Sequence, residues 1–283
     1  MIAPSSPFEA KPFVAGLERL RRRYEVRVEP DVLRVEGYLA GTDARRLEEL
    51  LDALDDPEVE MLIAARGGYG ATRLLAGLEP ARIERAAKLL VGFSDITALH
   101  AAWGRAGLRS LHGPMVTTLG RVDEETLAHF FEALEGALPQ AIEALEPICP
   151  GRARGPLLGG NLSVLLALLG TPYEPPLAGS VLLLEDVGER PYRVDRMLTT
   201  LRASGRLRDV RGIALGSFTD CRPGVDAVGV QAVLRERLGD LPIPIVMGIP
   251  VGHGEVNRPL PLGAEVELDA DAGTLRWLEG LFG

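Results

Sequence analysis

The chain has 283 residues, enough for two domains of ordinary size. Hydrophobic residues at 46% and charged residues at 25% describe a folded globular protein, and a net charge of -9 argues against nucleic acid, whose binders usually show a basic face. No apolar run reaches the roughly 18 residues of a membrane span, the start MIAPSSPFEAKPF lacks a leader pattern, and Cys149 and Cys221 are too few for a disulfide framework or zinc cluster. The expectation is a cytoplasmic protein with no membrane or nucleic-acid partner. Asparagine is confined to Asn161 and Asn257, each in a glycine-rich loop, GGNLS and GHGEVN, which suggests that each is kept there for a reason.

From residue 1 to about 135, short apolar runs alternate with helical patterns, the signature of a parallel sheet with crossover helices. MIAPSS reads as the end of a first strand, Pro7 to Arg23 as an amphipathic helix and Glu25 to Val28 as a short strand. Asp43 to Leu54 carries leucines at helical spacing behind a Thr42 or Asp43 cap. Met61 to Ala65 is a buried strand that enters the turn Gly67-Gly68-Tyr69-Gly70 and then a helix. RGGYG lacks the spacing and lysine of a phosphate loop, but its glycines let backbone N–H groups approach a ligand; a plain strand-to-helix turn reads equally well. Leu111 to Met115 is one more strand end, and Asp123 to Gly136 is a helix with His129 on its surface.

Ala137 to Arg154, with three prolines and no period, reads as the linker, giving an N-terminal domain over 1–137, a linker over 138–155 and a C-terminal domain over 156–283. Beyond it, Asn161 opens a helix over Leu162 to Leu169, Ser180 to Asp186 is a buried strand ending in acids, and Pro191 starts a helix that runs to Ser204. Gly212 to Phe218 and Ile243 to Ile249 read as strands around a helix from Val228 to Leu238. Ala264 to Trp277 alternates as a hairpin. This half is expected to have the more antiparallel character.

Between Val91 and His100 an apolar run passes through Gly92 to Ser94 and Asp95 and becomes helical. That is a strand, a tight turn and a helix start, similar to a nucleophile elbow, although Ile96 stands where the second glycine of G-x-S-x-G belongs. Ser94 or Asp95 could equally cap the helix. Ligands gather at the carboxyl ends of parallel strands, where Arg66 to Gly70, Ser94 and His112 all fall. A serine nucleophile needs a base, and a base needs an orienting acid. Of the four histidines, His129 reads as solvated and His100 as packed, while His112 is possible by position. His253, between two glycines in a loop, sits where no packing demands a large polar ring. For the acid, Glu185 ends an apolar run where an unpaired carboxylate would be costly. Asp186, Glu189 and Asp220 compete, and a salt bridge from Glu185 to Arg193 or Arg196 is the other use for that charge. No metal-ligand spacing is present, and no cofactor is expected.

Taken together, RGGYG at 66–70, GFSDIT at 92–97, GGNLS at 159–163, LLLEDVGERPYRVDRML at 182–198 and GIPVGHGEVNRPLPLG at 248–263 resemble the LD-carboxypeptidases, a family of serine peptidases. The resemblance implies an α/β fold, with an N-terminal parallel-sheet, flavodoxin-like domain plus a C-terminal β-rich domain of swivelling type. It implies a catalytic triad split between them: Ser94 as nucleophile, Glu185 as acid and His253 as base. The N–H groups of Asp95 and of Gly68 or its neighbour would form the oxyanion hole. Candidates for substrate binding are Arg66, Tyr69, Asn161 and Arg193. The implied reaction is removal of a terminal D-amino acid from a muropeptide tetrapeptide in peptidoglycan recycling, by a homodimer. Two other functions fit the same sequence: a peptidase of the microcin-immunity type that cleaves peptidyl or aminoacyl nucleotides, and a two-domain ligand-binding module without catalysis.

Overall fold

The computed structural model describes residues 1–225 and 227–282. In chain order the elements are α1 (Ala10–Leu20), α2 (Asp43–Asp55), β1 (Met61–Ile63), α3 (Pro80–Ala86), β2 (Leu89–Gly92), α4 (Thr97–Arg105), β3 (Ser110–His112), α5 (Val116–Leu119) and α6 (Glu124–Leu134). The second half continues with β4 (Glu146–Cys149), β5 (Arg152–Asn161), α7 (Leu162–Leu168), β6 (Val181–Val187), α8 (Pro191–Ala203), β7 (Gly212–Thr219), α9 (Val230–Leu238), β8 (Ile245–Met247), β9 (Leu260–Leu262), β10 (Glu265–Asp269) and β11 (Thr274–Trp277).

The first sheet has the order β1-β2-β3-β9, with β1, β2 and β3 parallel. Ile2 extends it through a parallel bridge to Ala64, so the expected first strand is reduced to a single bridge. The two-residue alternation of a strand sends Leu62, Ala64 and Leu90 to one face and Ile63, Ala65, Val91 and Leu111 to the other. The first set packs with Leu50, Leu54, Ile83, Leu99 and Trp103 of α2, α3 and α4; the second packs with Phe13, Leu17, Val116 and Phe130 of α1, α5 and α6. Each fully buried side chain of this size contributes about 1.5–3 kcal/mol, so both faces of the strands are committed to the core. The parallel three-layer arrangement expected for this half is therefore present.

The second sheet runs β11-β10-β5-β6-β7-β8-β4. Its centre, β5 to β8, is parallel, and half of its strand pairs are antiparallel, the greater antiparallel character expected of this half. The antiparallel pairs lie at the edges, β4 with β8 and the β10–β11 hairpin on β5. Helices α8 and α9 cover one face, burying Val194, Leu198, Leu234 and Leu238 against Leu182, Leu184, Ile213 and Leu215. On the other face, Leu183, Ala214 and Val246 meet Val266, Leu268, Leu275 and Trp277, because the sheet curls over itself.

Two further readings change and one is refined. Glu25–Val28 is not a strand; Arg27 there is spent on ion pairs with Asp56 and Glu58. The helix expected after RGGYG takes the tighter 3-10 form, over Ala71–Gly77. The stretch read as a linker over 138–155 contains β4 and the start of β5. β9 returns from the second half to pair antiparallel with β3, Leu111 opposite Pro261, so the two sheets are tied by a strand and not by a linker alone.

Candidate active site

The turn after β2 is the strained point of the first sheet. Phe93 is extended, and Ser94 then adopts φ 64, in the left-handed region that a non-glycine residue enters at a cost of about 1–3 kcal/mol. The helix that follows begins as a 3-10 turn, Ser94–Ile96, and continues as α4. Ile96 is fully buried, and a Cβ on Gly92 would lie 2.9 Å from its side chain. The glycine of this elbow is thus the one before the serine, and an isoleucine fills the space that the G-x-S-x-G pattern leaves to a second glycine. Gly67 faces Ser94 as closely, since a Cβ there would come 3.0 Å from the serine Cβ and 3.4 Å from the Asp95 nitrogen.

Buried polar groups hold that turn in place. Asp95 Oδ2 accepts from Ser5 Oγ at 2.6 Å and from the Ala71 N–H at 2.8 Å, joining the N-terminal segment and the RGGYG turn to the elbow. Burial pushes the Asp95 carboxyl up from its ordinary range. Arg46, fully buried, donates to the carbonyls of Pro4 and Gly70 and pairs with Asp43.

From the second sheet, β6 delivers Glu185, fully buried. Its register with β7 shifts between Leu184 and Asp186, a bulge that re-aims the side chain. The loop after β8 crosses above it. Ser217 N–H and Oγ both donate to the Val251 carbonyl, at 2.9 and 3.0 Å, and the Gly252 N–H donates to Asn257 Oδ1 at 3.0 Å, which fixes the residues on either side of His253. His253 Nδ1 lies 2.7 Å from Glu185 Oε2, and His253 Nε2 lies 2.9 Å from Ser94 Oγ. A carboxylate only accepts, so Nδ1 carries the imidazole proton and Nε2 is left to accept from the serine hydroxyl. The Phe93 ring, 4.9 Å from the His253 ring, backs the imidazole. Ser94, His253 and Glu185, which come from different sheets, thus form one hydrogen-bonded line.

The competing residues lie elsewhere. His100 is buried between Ser110 Oγ and the Gly92 carbonyl, and burial lowers its pKa to about 4. His112 is fully buried, stacks on His100 at 6.3 Å, and is likewise held neutral by burial. Asp186 is buried; it accepts from the N–H groups of Ser163 and Val187, and burial pushes its carboxyl up to about 6. Asn161 has its side chain committed internally: Oδ1 accepts from the Val164 N–H at the start of α7, and Nδ2 donates to both Glu185 Oε1, 3.2 Å away, and Asp186 Oδ1, 3.1 Å away. Arg193 is on the surface, paired with Glu189, and Tyr69 is exposed against Tyr38.

A cavity of about 550 Å³ opens over Ser94 and His253, within the usual range of small-ligand sites. Arg66, Gly67 and Gly68 line one side, Phe8, Glu9 and Pro12 of the α1 region another, Thr117, Thr118 and Arg121 a third, and Val187 comes from the second sheet. Neither Arg193 nor Tyr69 reaches it, and Arg121 is a lining residue that no sequence pattern marked. A cavity of similar size, about 580 Å³, lies around Met61 and Leu89 at the opposite, amino ends of β1 and β2 and contains none of these groups. Among the described residues no His, Cys, Asp and Glu cluster could hold a metal ion, and no helix is long and apolar enough to cross a membrane.

The sequence matches the LD-carboxypeptidase N-terminal domain over residues 1–113 and the LD-carboxypeptidase C-terminal domain over residues 154–268. The chain belongs to the LD-carboxypeptidase family. Among its relatives, the murein tetrapeptide carboxypeptidase of Pseudomonas aeruginosa is 39% identical over 255 residues, covering 85% of this chain and 81% of that protein. The crystal structure of muramoyltetrapeptide carboxypeptidase from Oxalobacter formigenes superposes with a TM-score of 0.86 at 33% identity, over 98% of this chain and 96% of that one. The microcin self-immunity protein MccF, in complex with aspartyl sulfamoyl adenosine, shares the fold with a TM-score of 0.86 at 22% identity, over 99% of this chain and 95% of that one. The protein is a peptidase of the carboxypeptidase type.

Proposed function

We propose that this LD-carboxypeptidase family member hydrolyses the bond to the terminal D-amino acid of a muropeptide tetrapeptide, with Ser94 as nucleophile. The observation that carries the reading is the line from Glu185 through His253 to Ser94; relatives named for murein tetrapeptides support the substrate. Ser94 Oγ attacks the scissile carbonyl while His253 Nε2 takes its proton. Glu185 holds Nδ1–H and stabilises the imidazolium that forms. The backbone N–H groups of Asp95 and Gly68, beside the elbow, receive the developing oxyanion. His253 then gives its proton to the leaving amine, the D-amino acid departs, and water activated by the same imidazole releases the acyl group.

The test is release of D-Ala from a tetrapeptide muropeptide, followed by chiral chromatography. Wild-type protein is expected to release it and Ser94→Ala to lose that activity by at least about 10³-fold while keeping its melting temperature. Retention of turnover in Ser94→Ala defeats the mechanism. Cleavage of an acyl nucleotide with no release of D-Ala defeats the substrate assignment.

A further inference from the structure

We infer that Arg121 is the residue that reads the free carboxylate of the departing D-amino acid; the inference rests on the carboxypeptidase reading of the same cavity. A carboxypeptidase must distinguish a chain end from an internal peptide bond, and a chain of net charge -9 repels an anionic substrate except where a local cation offsets it. The cavity over Ser94 contains two arginines, Arg66 and Arg121, and one carboxylate, that of Glu9. Most arginines of the described chain are ion-paired, yet neither of these two is, although Glu9 shares their cavity.

The surroundings of Arg121 explain how its charge stays available. Arg19 donates to the carbonyls of Leu119 and Val122, at 2.9 and 2.8 Å, and pairs with Glu124, so these acceptors, which flank Arg121 in the chain, are already engaged. The turn itself is fixed against α1. A Cβ on Gly16 would lie 1.7 Å from the Val116 carbonyl oxygen, and one on Gly120 would lie 2.9 Å from the Ala15 Cβ. Only glycine permits this contact, and it sets the stem of Arg121 on a rigid wall of the cavity. Arg66 differs, because its guanidinium is engaged by the Pro7 carbonyl at 2.6 Å. A guanidinium with open donors matches a carboxylate in bidentate geometry.

The experiment compares steady-state kinetics of wild type, Arg121→Met, Arg121→Lys and Arg66→Met on two substrates: the D-Ala tetrapeptide and the same peptide with a C-terminal amide. Loss of a charge-assisted hydrogen bond to the carboxylate should lower kcat/KM of Arg121→Met on the acid by about 10–10²-fold, mainly through KM. Turnover of the amide should stay within about threefold, so that the preference for the acid collapses, and Arg121→Lys should restore part of it. Equal losses on both substrates, or a collapse caused by Arg66→Met and not by Arg121→Met, overturns the assignment. If Ser94→Ala abolishes release while Arg121→Met is silent on both substrates, this inference fails and the peptidase reading stands. If wild type releases neither D-Ala from the acid nor D-alaninamide from the amide, both fail.

Discussion

Gly252 is the position where a single methyl group should disable the site with all three of its reacting side chains left unsubstituted. The residue has φ +112, and a Cβ built on it lies 2.6 Å from Glu185 Oε2 and 2.6 Å from Ser217 Oγ. Ordinary contact begins at 3.4 Å, so in Gly252→Ala either the carboxylate or the His253 loop must move by about 0.8 Å, on top of roughly 1–3 kcal/mol of backbone strain. Glu185 cannot retreat easily, because Asn161 holds its other oxygen and its surroundings are fully buried. The shift therefore falls on the 2.7 Å contact between Glu185 and His253. A misplacement of about 1 Å in a catalytic group can cost about 10²-fold, close to 2.7 kcal/mol of barrier. The assay is kcat for D-Ala release at saturating peptide, with Gly179→Ala as the control. Gly179 has φ +78 but no atom within 4 Å of a Cβ, so it carries the strain without the collision. The expected result is a fall of about 10²-fold in kcat for Gly252→Ala and a change under threefold for Gly179→Ala. Equal activity in both variants would refute the geometric argument.

Glu185→Gln should lower kcat by about 10³–10⁴-fold with little change in KM. A glutamine offers one acceptor where Asn161 Nδ2 and His253 Nδ1 each need one, so the amide either opposes the asparagine or turns the imidazole to the wrong tautomer. Asn161→Ala removes the cap of α7 and the donor shared by Glu185 and Asp186; urea unfolding should show a loss of about 3 kcal/mol. His100 makes folding acid-sensitive. Its folded-state pKa of about 4 lies below the ordinary 6.5, so its contribution is complete above pH 6.5 and is lost as the pH falls towards 4, about 3 kcal/mol in all. Asp186, raised to about 6, acts in the opposite sense, so the clean measurement is the stability difference between wild type and His100→Asn. That difference should move against wild type by about 3 kcal/mol between pH 7 and pH 4, and a difference independent of pH would contradict it.

The parallel half of the fold was legible because its strands are short apolar runs flanked by helices of 3.6-residue period, as in Met61–Ile63 and Asp43–Asp55. Periodicity carries no information about partners, however. Leu260–Leu262, with prolines at 259 and 261, shows no strand pattern, yet it is an edge strand of the first sheet, the place where proline is tolerated. β4 was hidden in the same way by Pro147 and Pro150. Glu25–Val28 alternates like a strand but joins neither sheet among the described residues. At the site, the cost of burying Glu185 pointed to a histidine partner, and a 2.7 Å contact to His253 is there. Asn161 stands in a glycine-rich loop, which makes it a candidate substrate contact by sequence, whereas its amide is spent on the two acids and on α7. Arg121 carried no signal, because it stands in a turn whose place beside Ser94 is fixed by the packing of α5 on α1.

The central claim is that Ser94 becomes acylated. Mixing the enzyme with excess D-Ala tetrapeptide, quenching in acid within the first turnover and sequencing the digest by mass spectrometry tests it directly. The expected result is the mass of the residual tripeptidyl group on the peptide that contains Ser94, with no adduct in Ser94→Ala. An adduct on another residue, or undiminished D-Ala release by Ser94→Ala, would contradict it.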